Sequence, residues 1–305
     1  MRRTDQKLAM TGSEQASKNG GFLSRLDGAI RTGWKILMNQ SGPSAPPETA
    51  TDSKFQIPDH ISQLIEKLVT ADRSKPIAEL LKFNQGDRDL WVAAKAKTVP
   101  AQSSVLDVGA GTCLYRKNFD HCAYKTHDFK QYDGFLSNSE GLYGKIDYVS
   151  DINAIPVPDA SFDVILCTEV LEHVPEPIEA LREMARILKP GGRLFLTAPL
   201  MSGLHQLPYH FYSGYTPFWY RHFCEKFGLQ VTEISPNGGF FKLLAQECAR
   251  VAWTMPKHAH LHGADQEAVG TLFGEILPRY LFSLEEKCLI DQFTVGYHVE
   301  AVKPG

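Results

Sequence analysis

The sequence predicts an α/β fold built on a doubly wound, mostly parallel sheet. Three observations carry that expectation. Residues 104–108 form a short apolar strand that runs into a turn holding Gly109 and Gly111. Further apolar runs follow at 123–128, 146–150, 161–168 and 193–199, with a one-face helical pattern between the last two. The runs at 123–128 and 146–150 lead into acids, Asp128 and Asp151. A strand, a glycine turn and acids at strand ends are the parts with which doubly wound sheets hold nucleotide-like ligands.

Composition narrows the function. The chain has 305 residues, 43% hydrophobic and 22% charged, which suits a globular protein with a sizeable core. A net charge of −3 gives no global basic field, so no nucleic-acid partner is expected. The six cysteines, at 113, 122, 167, 224, 248 and 288, are scattered without a C-x-x-C pair, the pattern of reduced thiols rather than a disulfide framework. No apolar run approaches a membrane span, and no apolar core follows the charges at the start. A cytoplasmic location is expected.

Two regions are read. Residues 1–51 are a disordered or linker region, and 52–305 form the main domain. Residues 1–21 are polar and rich in Ser, Gly, Lys and Gln. Within 22–38, Leu23, Leu26, Ile30, Trp34 and Leu37 recur at helical spacing, with Arg25, Arg31 and Lys35 among the other positions. Packing on the main domain is the preferred role for this amphipathic helix; docking on a membrane surface or a partner stays open. Prolines at 43, 46 and 47 mark a linker.

A helical prelude spans 58–98. Asp59 caps a helix carrying Ile61, Leu64, Ile65, Leu68 and Val69 on one face. A second helix covers 76–82, and a third starts near Asp87 with Leu90, Trp91 and Ala94. The cofactor-binding core is 100–200. A dinucleotide loop needs a third glycine where Leu114 stands. Asp107, Gly109 and Gly111 instead resemble the D/E-x-G-x-G-x-G loop of class I S-adenosylmethionine (SAM)-dependent methyltransferases, with Cys113 at the last glycine position. The helix behind the loop begins poorly at Tyr115-Arg116. Asp128, 21 residues after Asp107, is placed to accept hydrogen bonds from both ribose hydroxyls. A solvated loop acid is the alternative reading. Asp151 and Ile152 suit an adenine, the acid facing the exocyclic amine and the isoleucine the ring face.

The run Ser161-Phe-Asp-Val-Ile-Leu-Cys-Thr-Glu-Val-Leu-Glu-His-Val174, a helix opened by Pro177, the stop at Lys189-Pro-Gly-Gly192 and a fifth strand to Pro199 closely resemble the small-molecule branch of the same family. The resemblance implies a Rossmann-like seven-stranded sheet whose last strand is antiparallel. It also implies that Thr168 and Glu169 line the methionine end of the cofactor. His173 is read as fixing its loop or as touching acceptor or cofactor.

Beyond Pro199, residues 201–215 form an aromatic-rich acceptor loop at the carboxyl end of the fifth strand, the place where α/β sheets receive ligands. His210 is the candidate general base and His205 the second candidate, each with backbone hydrogen bonding as the competing role. Thr216-Pro217 opens a helix through Phe227 in which Phe218, Trp219 and Phe223 are expected in the core. Strands at 229–235 and 292–302 bracket a helical insertion, 239–291, read as a cap on the acceptor site or a dimer contact. His258, His260 and His262 alternate without nearby Cys or acid ligands, so no metal is expected there.

The function expected is methyl transfer from SAM to a small-molecule or glycan-like acceptor, at oxygen. The alternatives are a non-catalytic SAM-binding subunit, which Cys113 permits, and an NAD-dependent oxidoreductase. The missing third glycine and the absence of a Tyr-x-x-x-Lys pair after the fourth strand count against the last. A homodimer is an open expectation.

Overall fold

The computed structural model describes residues 59–70, 75–132, 143–258 and 263–305, all within one unit, Pro58–Gly305. The readings of residues 1–51, with the 22–38 helix, and of His260 and His262 lie outside the described residues.

Seven strands form one sheet: β1 (Ser104–Val108), β2 (Ala123–Asp128), β3 (Tyr148–Val149), β4 (Phe162–Thr168), β5 (Leu188–Pro199), β6 (Gln230–Pro236) and β7 (Gly296–Val302). Their spatial order is β3-β2-β1-β4-β5-β7-β6. The first five pair in parallel, and β7 runs antiparallel to both β5 and β6. The order reverses between β1 and β4, which leaves a crevice beyond their carboxyl ends.

Strand periodicity assigns the two faces. Leu106, Val108, Ile165, Cys167, Leu194 and Leu196 enter one buried cluster; their neighbours Val105, Val164, Leu166 and Phe195 enter the other. The helices α1 (Asp59–Thr70), α2 (Ile77–Leu81) and α3 (Phe83–Ala96) precede the sheet, and α3 closes the second face with Val92 and Ala96. The first face is closed by α4 (Pro177–Ile187) and α5 (Pro217–Lys226). Pro177 starts α4 at a position where no amide hydrogen is needed. Its Leu181 and Met184 are fully buried, each adding roughly 1.5–3 kcal/mol of hydrophobic stabilisation. The Thr216 hydroxyl accepts from the Trp219 amide as the N-cap of α5.

The insertion consists of α6 (Phe240–His258), α7 (Ala264–Thr271), a π-helical turn Leu272–Ile276, and α8 (Leu277–Glu285). Leu243 and Ala245 of α6 and Phe282 of α8 share a third cluster with Phe83 and Val295. The insertion therefore packs on the prelude helices.

Several expectations change. Only a 3-10 turn, Arg116–Phe119, follows the glycine loop. Fourteen residues, 109–122, connect β1 to β2, and the glycine turn takes up the first of them, which leaves a short crossover. β3 is two residues long because Asp147 intervenes. Its carboxylate accepts from the Thr126 amide, and its own amide donates to the Thr126 carbonyl. β5 begins at Leu188, directly after α4, with a register irregularity opposite Phe162 and Val164. Phe218 is 81% exposed, whereas Tyr220 and Cys224 are fully buried. At about 100° per residue, Phe218 falls on the side of α5 turned away from the sheet. Trp219 and Phe223 do pack against the core.

Candidate active site

A cleft of about 490 Å³ opens at the carboxyl ends of the parallel strands. Its floor is the turn after β1. Gly109 has φ +70°, and a Cβ there would stand 2.4 Å from Val170 Cγ2, so only glycine fits between the turn and the loop after β4. Gly111 has φ +49°, with open space where a Cβ would project. The Gly111 amide donates to Oδ2 of Asp128 at 2.9 Å, and the Lys130 amide donates to its Oδ1 at 3.0 Å. Those two bonds hold the Asp128 carboxylate at the end of β2 beside the glycine turn.

Gly109, Gly111, Asp128, Asp151, Ile152 and Glu169 all line this cleft. Glu169 has φ +52°, accepts from the Thr197 hydroxyl at 2.8 Å and pairs with Arg88 of α3 at 3.3 Å. Asp107 and Thr168 are not among the lining residues. Asp107 is buried and accepts from the Tyr124 hydroxyl, which ties β1 to β2. Burial pushes its carboxyl up to about 7, against the lowering effect of the Tyr124 bond. Thr168 sits at the end of β4, in register with Thr197 of β5.

The loop 201–215 forms the other wall. The Phe211 and Tyr212 amides donate to the Glu172 carbonyl, and the Tyr215 hydroxyl donates to the Leu171 carbonyl. Tyr209 packs edge-on against Phe129, with ring centroids 5.1 Å apart. Tyr209 and Phe211 line the cleft; His205 and His210 do not. Both histidines instead meet His173, a wall residue, with centroids 4.8 and 5.8 Å from its ring. Among the described residues, none of 239–291 lines the cleft.

Burial, reinforced by His205 and His210, lowers His173 to about 4, so its imidazole is neutral at pH 7. Burial and then His205 also lower His210. Burial, with the Glu169 charge adding to it, raises Glu172 to about 8. The geometry therefore combines a glycine turn and a strand-end carboxylate on one side with the His173 imidazole and its two histidine neighbours on the other.

Three of these contributors had no local signal. Arg88 lies 81 positions before Glu169, and Phe129 lies 80 before Tyr209. The meeting of His173 with His205 and His210 depends on how two loops dock.

Residues 106–196 match the methyltransferase domain family model. That stretch is what this chain has in common with methyltransferase domains. An uncharacterized methyltransferase of Mycobacterium sp. (strain JLS) is 28% identical over 163 residues, 47% of this chain and 63% of that protein. A ubiquinone biosynthesis O-methyltransferase of Xanthomonas axonopodis pv. citri (strain 306) is 34% identical over 110 residues, 33% and 45% of the two chains. The ubiquinone/menaquinone biosynthesis C-methyltransferase of Pseudoalteromonas translucida (strain TAC 125) is 53% identical over 57 residues, 18% and 23%. The chain thus spans less than two thirds of these curated relatives. The solved phosphoethanolamine N-methyltransferase 2 of Haemonchus contortus has 15% identity, covers 72% of this chain and 53% of its own, and gives a TM-score of 0.44.

The matched stretch runs from β1 to β5 and so includes the glycine turn and Asp128. Among the described residues, no helix is long and apolar enough to cross a membrane.

Proposed function

We propose that this protein transfers the methyl group of SAM to an oxygen of a small-molecule or glycan-like acceptor. The observation that carries the reading is the convergence of Gly111, Asp128, Ile152 and Glu169 on one cleft whose opposite wall is the histidine-bearing loop 201–215.

The cleft residues fit the cofactor. The open space at Gly111 admits a ligand against the backbone, and the Asp128 carboxylate is held at its rim with lone pairs left for ribose hydroxyls. Ile152 and Asp151 lie beside it for the adenine face and edge. Glu169, anchored by Arg88 and Thr197, stands on the methionine side. Asp107 acts from behind the turn through Tyr124.

When bound, SAM supplies a methyl group on a positively charged sulfur, and displacement there returns the neutral thioether. The protein's task is then alignment, water exclusion and removal of one acceptor proton. Tyr209 and Phe211 supply apolar walls that exclude water. The His173–His205–His210 group stands ready for the proton of an acceptor hydroxyl, with His210 the residue assigned to take it. The name of the Xanthomonas relative specifies O-methylation, which agrees with this reading.

The test is calorimetric titration of the purified chain with SAM, S-adenosylhomocysteine and NAD, followed by a radiolabelled methyl-transfer screen over phenols, sugars and amines. Binding of the first two without NAD, and label in a hydroxyl acceptor, are expected. Tight NAD binding without SAM binding overturns the cofactor assignment, and label confined to amines overturns the oxygen. SAM binding with no transfer to any acceptor or to cell extract favours a non-catalytic subunit.

A further inference from the structure

We propose that His173, His205 and His210 form a binding site for one divalent transition-metal ion at the mouth of the cleft.

The three side chains come from two separate segments, the 3-10 turn Leu171–His173 after β4 and the loop 201–215 after β5. Each offers a ligand nitrogen, and these nitrogens all lie within 4.8 Å of one another. A tetrahedral zinc with nitrogens at about 2.0–2.1 Å requires separations of about 3.4 Å, so ring rotations of roughly an ångström complete the site.

The outer hydrogen bonds point the rings inward. The ring nitrogen Nδ1 of His173 faces the Tyr209 carbonyl, and Nδ1 of His205 faces the Gly203 carbonyl at 2.9 Å. A carbonyl only accepts, so each Nδ1 carries the hydrogen and each Nε2 of the neutral ring carries a lone pair. Metal-binding histidines are held in this way by a carbonyl or carboxylate on the far nitrogen.

The inward nitrogens lack partners. Nε2 of His173 and both ring nitrogens of His210 are shielded from water and have no hydrogen-bond partner. Leaving such atoms unpaired is costly, and three of them on two neighbouring rings call for a common partner. Beside them, Oε1 of Glu172 stands 3.6 Å from Nε2 of His173, its other oxygen also unpartnered and its side chain 2% exposed. A cation relieves the shortage at the rings, because it accepts their lone pairs.

Three imidazoles beside one carboxylate suit zinc, or iron, nickel or copper, rather than magnesium or calcium. Three protein nitrogens also leave a coordination position open, the pattern of a catalytic rather than a structural site. On the methyl-transfer reading, an acceptor hydroxyl fills that position. The ion lowers its pKa, its proton leaves to solvent, and its oxygen pair forms the new O–CH3 bond while the S–CH3 pair returns to sulfur. His210 then acts as a ligand to the ion instead of taking the proton itself. That step rests on the proposed function; the ion site does not.

The experiment uses the full chain, freed of any affinity tag and dialysed against a chelator, then titrated with Zn2+ and Co2+. Calorimetry and Co2+ visible absorption read the binding. One equivalent is expected, with a tetrahedral Co2+ spectrum. His173→Ala and His210→Ala should each weaken binding beyond the ~10–100-fold typical of losing an outer partner. The exposed-loop variant His205→Ala should weaken it as well without disturbing the fold, as checked by circular dichroism. His222→Ala, on the exposed side of α5, should change nothing. Absence of saturable binding, or binding indifferent to all three substitutions, overturns the site. SAM binding and transfer by metal-free protein that takes up no zinc defeats this inference alone. Zinc binding by a chain that never binds SAM defeats only the proposed function.

Discussion

Nδ1 of His173 donates to the backbone carbonyl of Tyr209, joining the turn after β4 to the loop after β5. The Tyr209 ring meets Phe129, just past β2, so the ends of three strands converge on one loop residue. This contact places the histidines of the loop beside the wall of the cleft. It also makes the acceptor side depend on docking of the loop as a whole.

The carboxylate at the end of β2 is expected to dominate cofactor affinity. Asp128→Ala should weaken SAM binding by roughly 1.5–3 kcal/mol, the range for hydrogen bonds to a charged group. Calorimetry on the folded variant measures it. An affinity within error of the parent would reduce Asp128 to a brace for the Gly111 and Lys130 amides.

Gly109→Ala should destabilise the fold as well as the site. The new Cβ meets Val170 at 2.4 Å in a left-handed backbone conformation, a combined cost of roughly 1–3 kcal/mol. A lower thermal midpoint is expected, with reduced SAM affinity. Gly111→Ala, with no neighbour within 4 Å, should lose affinity with a smaller loss of stability.

Asp107 predicts a pH dependence of stability. Its carboxyl is raised by burial from 3.8 to about 7 in the folded chain. A raised acid binds its proton more tightly when folded. Its stabilising contribution is therefore complete below about pH 4 and is lost as pH rises toward and through about 7. Asp107→Asn keeps an acceptor for Tyr124 and removes the titration. Denaturant unfolding between pH 4 and 8 should therefore show a flatter profile for the variant. Equal slopes would mean that Asp107 titrates normally.

His210→Ala should cut turnover by roughly a hundredfold or more while SAM affinity stays near the parent value. The second half follows from the position of His210 outside the residues lining the cleft. Loss of SAM binding together with turnover would show that the residue holds the loop.

Much of the cofactor side was legible because it is local. An acid, two glycines and a strand-end carboxylate sit within 22 residues, from Asp107 to Asp128, and the strands around them alternate cleanly. Asp107 shows the limit of such reading. The motif marks it as a site acid, whereas its burial and its bond from the Tyr124 hydroxyl come from the pairing of β1 with β2. The length of β3 and the missing helix after the glycine loop escaped for a related reason. Side-chain bonds from Asp147, and the short chain between β1 and β2, outweigh the propensities of those segments.

By itself the sequence determined the order of the strands, the glycine turn and the helix starts at Pro177 and Pro217, since each follows from periodicity or from one residue's backbone constraint. Tertiary structure alone decided which polar groups meet. The Arg88–Glu169 pair, the packing of the insertion on the prelude helices and the gathering of His173, His205 and His210 join residues dozens of positions apart. Such contacts are set by packing across the sheet and between loops, where no local period exists to announce them.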